Sequence, residues 1–148
     1  MNQNKVNEAL ACFDEGFNCA QSVVCSYCEE LGLDKKNALK ASCGFGGGMG
    51  RLQETCGAVS GAILLIGLKY GKLTKEDEAA KEKTYATVRE FSALFKERNK
   101  TTCCRELLGF DLLSTDHQIA KEKIKKVCPK MIQDAVEIAE KLLFKDAE

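Results

Sequence analysis

The sequence predicts an all-α fold, a single-domain helical bundle of about seven helices over residues 1–148 with a glycine-rich loop before the central helix. Three observations carry this expectation. Apolar residues recur at three- and four-residue steps along most of the chain, no segment alternates with period two, and Pro129 is the only proline.

The elements follow in order. Val6, Ala9, Leu10 and Phe13 share one face of a first helix, which Gly16 ends. Asn18 caps a second helix with the stripe Ala20, Val23, Val24, Tyr27, Cys28 and Leu31, stopped by Gly32. Asp34 opens a short third helix that runs through Leu39 to about Cys43. Residues 44–50 then hold five glycines in seven positions, too many for regular helix. A fourth helix, from near Cys56 to Tyr70, is apolar on nearly all sides and is expected at the centre. Gly57 and Gly61 share one of its faces, which would let another backbone approach closely. Thr74 and Asp77 resemble a capping box opening a long helix to about Asn99, with Ala80, Tyr85, Val88, Phe91 and Phe95 inward. A short helix over 103–108 ends at Gly109. Ser114 or Thr115 caps the next, which reaches about Val127. The last begins at Pro129, with Ile132, Ala135, Val136, Ala139, Leu142 and Leu143 inward.

Composition narrows the function. Hydrophobic residues are 45% and charged residues 30%, which suits a folded globule with a core of its own. Lys+Arg and Asp+Glu balance at 22 each, so neither a nucleic-acid footprint nor attraction to anionic membranes is expected. The basic run from Lys121 to Lys126 reads as the last turn of a helix. The longest apolar run, 58–68, falls short of the roughly 20 residues a bilayer span needs, so the chain is not expected to be membrane-embedded. No leader pattern is visible and a cytoplasmic location is expected, where structural disulfides are uncommon. Nine cysteines therefore call for reactivity, metal binding or packing, and an odd number excludes a framework that pairs every one within the chain.

Four cysteines stand where helices are expected to begin. Cys19 follows Asn18, Cys56 follows Thr55, Cys104 follows Thr101 and Thr102, and Cys128 precedes Pro129. A helix start offers unpaired N–H groups and the positive end of the macrodipole, and both favour the thiolate that attacks disulfides and binds metals. Cys56 makes the strongest candidate, because Gly57 beside it leaves the sulfur open to approach. Cys103 points about 100° away from Cys104 on a helix and is not expected to act with it. Cys25 and Cys28 spell C-x-x-C, but in mid-helix they read as core packing; Cys12 and Cys43 stay undecided. The glycine loop lacks the preceding strand and Lys-Ser/Thr ending of a phosphate loop. Gly46, Gly47 and Gly48 are instead expected to admit close backbone approach to a cluster, a thiol or a helix, with Arg51 as a candidate positive charge. His117, the only histidine, is expected to be exposed, which disfavours Cys/His zinc sites and Cys–His pairs.

Asn18-Cys19-Ala20-Gln21, Gly46-Gly47-Gly48-Met49, the run Cys56-Gly57-Ala58-Val59-Ser60-Gly61, the run Cys104-Arg105-Glu106-Leu107-Leu108-Gly109 and Cys128-Pro129 occur in an order that resembles the C_GCAxxG_C_C family, described as redox-active. The resemblance runs from about Val6 to Leu143 and places the family's four cysteines on Cys19, Cys56, Cys104 and Cys128. It implies redox chemistry and a functional link to a transporter or to metal handling. It leaves Cys12, Cys25, Cys28 and Cys103 outside the pattern.

Three functions compete. In the first, Cys56 attacks a disulfide of an unidentified redox partner and Cys19 or Cys128 resolves it. In the second, Cys19, Cys56, Cys104 and Cys128 ligate an iron–sulfur cluster or another metal centre. In the third, the chain is a non-enzymatic helical binding module or a homodimer whose cysteines only pack.

Overall fold

The computed structural model describes residues 2–144, and every structural statement below concerns those residues. Among them the chain is all-α, with seven helices and no sheet. They are α1 (Gln3–Glu15), α2 (Cys19–Tyr27), α3 (Lys35–Ser42), α4 (Gly57–Tyr70), α5 (Glu78–Asn99), α6 (Cys104–Leu108) and α7 (His117–Leu143). Between α3 and α4, a 3-10 turn at Cys43–Phe45 leads into Gly46–Met49, where left-handed Gly47 and Gly48 break any regular helix.

Capping explains most boundaries. Asn18 and Gln21 form a complete capping box at α2, each side chain pairing with the other residue's backbone N–H. Asp34 caps α3 by accepting from the Asn37 N–H. α4 lies at the centre as expected, with Leu65 and Ile66 fully buried, and packs on α2, α5 and α7.

Three expectations about helix limits are corrected. α5 starts at Glu78, because Asp77 caps it by accepting from the Ala80 N–H, and Thr74 lies in the turn before it. Its burial begins only at Thr87, so Phe91 and Phe95 face the core while Tyr85 is 52% exposed beside Lys81. The two helices expected before and after Pro129 are one continuous helix, α7, capped by Asp116 rather than Ser114 or Thr115. A proline inside a helix costs about 3 kcal/mol. Burial of Ile132, Val136 and Ile138 on the C-terminal half, at about 1.5–3 kcal/mol each, outweighs that cost. The basic run therefore lies well inside α7 instead of at a helix end.

A charged network joins the C-terminal end of α5 to the middle of α7. Asp134 is buried and accepts from Arg98 at 3.0 Å, Lys130 at 2.7 Å and Asn99 at 3.1 Å. These donors hold its carboxyl below the usual carboxylate range against the opposing effect of burial.

Candidate functional site

Cys19, Cys56, Cys104 and Cys128 line one cleft of about 920 Å³. Four separate helices deliver them, and the local chemistry of each explains how.

The approach of α2 to α4 brings Cys19 toward Cys56. Gly61 makes it possible: a Cβ there would lie 2.7 Å from the Ala20 carbonyl oxygen. One turn earlier, a Cβ on Gly57 would stand 3.4 Å from the Cys19 Cβ. The shared glycine face expected from the sequence is thus the seam between these helices.

Cys56 and Cys104 are tied together by backbone. The Cys56 N–H donates to the Thr102 carbonyl at 2.7 Å, and the Cys104 N–H donates to the Glu54 carbonyl at 2.6 Å. Thr55 and Cys103 form an antiparallel bridge between these bonds. The glycine turn underlies this clip. Gln53 and Glu54 N–H groups donate to the Gly47 and Gly48 carbonyls at 3.0 and 2.9 Å. Gly48, at φ 67°, has no room for a side chain: a Cβ would lie 2.6 Å from the Cys104 Cβ. Close packing occurs at Gly48, against Cys104, and at Gly46, where a Cβ would meet the side chain of Asn18 at the α2 cap.

Sequence reasoning missed Gln53. It is buried, and its side chain donates to the Phe110 carbonyl and accepts from the Leu112 N–H, both at 2.8 Å. It thereby folds the segment after α6 against the cleft, where Leu112 and Leu113 form part of the wall. A lone Gln after a glycine loop carries no periodic or motif signal, so nothing in the sequence pointed to it.

Cys128 comes from the middle of α7, not from a helix start. Cys19 is the first residue of α2, Cys56 the N-cap of α4 and Cys104 the first residue of α6, as expected. Thiolate stabilisation does not follow from those positions. Burial pushes the Cys56 thiol up to about 11, although the Ala58 and Val59 amides act in the opposite direction. At this helix start the pull of those two amides is weaker than the cost of burial. Burial and the neighbouring sulfurs push Cys104 up to about 12. Arg105 is the cation that opposes this; Arg51 is exposed at the cleft wall.

The strongest electrostatic influence on Cys19 comes from Cys128. Hydrogen bonding to Cys128, then burial and the nearby sulfur charges, push Cys19 well up. The same hydrogen bond lowers Cys128 against the effect of its burial. Of this pair, Cys128 is the one whose thiolate is favoured. The preferred thiolate is thus the one cysteine remote from any helix N-terminus.

Other candidates fall outside this geometry or at its margin. His117 is exposed at the first turn of α7, at the mouth of the cleft. Cys43 is exposed at the rim, and Cys103 is partly buried with its thiol 3.6 Å from the Gln53 carbonyl oxygen. Among the described residues, no group of three or more His, Cys, Asp or Glu side chains is arranged to hold a metal ion. No helix among them is long and apolar enough to cross a membrane.

A family model described as "Putative redox-active protein (C_GCAxxG_C_C)" matches residues 17–142 of the 148. That match includes all four cleft cysteines and the glycine turn. No curated protein and no solved structure matches the chain. With the model matching most of its length, the chain belongs to the C_GCAxxG_C_C family.

Proposed function

We propose that the protein carries out thiol–disulfide exchange through Cys128 and Cys19, with Cys128 attacking and Cys19 resolving. The supporting observations are that Cys19 of α2 and Cys128 of α7 line the same open cleft and that interaction between the two thiols raises Cys19 and lowers Cys128. The lowered Cys128 takes the nucleophile's role that sequence had assigned to Cys56, whose burial keeps it protonated near neutral pH.

The electrons balance in two steps. Cys128 thiolate attacks one sulfur of a partner disulfide, forming a mixed disulfide and expelling the first partner thiolate. Cys19 then attacks the Cys128 sulfur, and its proton passes to the second departing thiolate. The partner disulfide is reduced to two thiols, and Cys19 and Cys128 become one disulfide. Cys56 and Cys104 remain neutral thiols in the cleft wall. Such a cycle suits a reducing compartment such as the cytoplasm, which is part of the proposal.

Trapping tests the assignment. With an aromatic disulfide such as dithionitrobenzoate, a Cys19→Ser chain should accumulate a mixed disulfide on Cys128, while Cys128→Ser should form none in the cleft. A mixed disulfide that builds up on Cys56 instead would overturn the roles. The competing reading makes Cys19, Cys56, Cys104 and Cys128 the ligands of an iron–sulfur cluster; their common cleft supports it, and the finding that no three ligating side chains among the described residues are set to hold a metal ion counts against it. Iron and labile sulfide in whole-number ratio to protein after anaerobic purification would replace the thiol cycle with that reading.

A further inference from the structure

A second pair of cysteines lies away from the cleft. The Cys12 thiol on α1 donates to the Cys25 sulfur on α2 at 2.6 Å. Both line a small cavity of about 180 Å³ with Glu8, Ala11, Glu15 and Lys35. None of these residues lines the large cleft. The C-x-x-C spelling is misleading, because Cys28 is fully buried in the core and the partner of Cys25 comes from α1.

The cavity has a division of labour. Cys12 is buried at 5% exposure, while Cys25 is partly exposed and is the sulfur an incoming molecule can reach. Burial first, then the hydrogen bond and charge of Cys25, push Cys12 up to about 12; Glu15 adds to this and Lys35 opposes it. Lys35, on the first turn of α3, is itself held above its usual range, first by negative charge on Cys25 and then on Cys12. Cys25 is therefore the sulfur an incoming disulfide meets, with the Cys12 thiol against it and the Lys35 cation lining the same cavity.

We propose that Cys12, Cys25 and Lys35 form a second thiol–disulfide centre, which takes a low-molecular-weight disulfide as oxidant and closes a bridge between α1 and α2. Cys25 thiolate attacks the small disulfide, forming a mixed disulfide and releasing one thiolate. Cys12 attacks the Cys25 sulfur, expelling the second thiolate, which takes up the Cys12 proton. Two protein thiols are oxidised to one disulfide, and the small disulfide is reduced to two thiols. Bond formation asks the sulfurs to close from 2.6 Å to about 2.05 Å, within helices already packed on each other. The centre is independent of the cleft chemistry and stands or falls separately from it.

The test uses the full chain incubated with oxidised glutathione, blocked with iodoacetamide and mapped by mass spectrometry. The expected product is a peptide pair joined through Cys12 and Cys25. Lys35 is exposed, so Lys35→Met should leave the fold intact by circular dichroism while slowing bridge formation about tenfold, and Lys35→Arg should restore the rate. The proposal is overturned if Cys12 and Cys25 are both alkylated under conditions that glutathionylate exposed Cys43. A bridge from either residue to a different cysteine overturns it as well. An unchanged rate in Lys35→Met removes Lys35 from the centre.

Discussion

Two glycines of one helix should respond to the same substitution with opposite signs. Gly61 and Gly67 both lie inside α4. Replacing a helix-interior glycine with alanine gains about 1 kcal/mol from backbone conformation alone. At Gly67 nothing lies within 4 Å of the new Cβ, so Gly67→Ala keeps that gain. At Gly61 the Cβ would lie 2.7 Å from the Ala20 oxygen and 3.2 Å from the Ala20 Cα. These are backbone atoms of α2 and cannot rotate away. Overpacking of this kind costs about 1–3 kcal/mol, and a backbone obstacle belongs at the upper end. Gly61→Ala should therefore lose about 1–2 kcal/mol net. For a chain of this size that lowers the melting midpoint by about 3–6 °C, against a rise of about 2–4 °C for Gly67→Ala. Urea titrations with matched slopes give the free energies directly. Alkylation of Cys19 gives a second readout, because displacement of α2 at Ala20 moves its neighbour; Gly67→Ala should leave that rate unchanged. If both substitutions stabilise equally, α2 and α4 do not meet at this seam, and the construction of the cleft described above is wrong.

Asn18→Ala removes the capping box of α2 and the bond from the Asn18 side chain to the Cys43 carbonyl, and should cost about 1–2 kcal/mol in chemical denaturation. Gly48→Ala combines left-handed strain with a contact 2.6 Å from the Cys104 Cβ; a loss of about 2–4 kcal/mol with faster Cys104 alkylation is expected from the same experiments. Cys56 gives a pH signature. Its folded value of about 11 lies above the ordinary 9.0, so the unfolded chain sheds this proton first as pH rises. Stability is fully present below about pH 9 and is lost between 9 and 11, at about 1.4 kcal/mol per pH unit for this one group. Melting curves from pH 8 to 11 should show the decline, to which the raised thiols of Cys12, Cys19 and Cys104 also contribute, and Cys56→Ala should make it shallower by the share of this one group.

The fold was legible where local chemistry decides it. The caps Asn18 and Asp34, the all-apolar α4 and the Gly57–Gly61 face each carry their signal within a few residues. The failures share a cause: a long-range term outweighs a local one. Pro129 should end a helix, yet the buried stripe that follows it holds α7 together. Tyr85 fits an apolar period, but α5 reaches the core only from Thr87 onward. The four cleft cysteines were found from helix starts and from the family resemblance, and three do occupy such starts. The electrostatic premise behind that choice was incomplete, because desolvation among neighbouring sulfurs exceeds the benefit of a few amides. The Cys12–Cys25 contact crosses two helices and has no sequence signature at all.

Cys128 lies on the last helix, and its hydrogen-bonding partner Cys19 lies near the beginning of the chain. The cleft therefore cannot exist on a growing polypeptide until α7 has been made and has docked. Helices near the N-terminus can form earlier, as chains fold during synthesis at about 5–20 residues per second. Throughout that interval Cys19 waits without the sulfur that faces it in the finished cleft. The nascent chain thus carries thiols but not yet the centre they form, and its reactivity switches on only with the completion of tertiary structure.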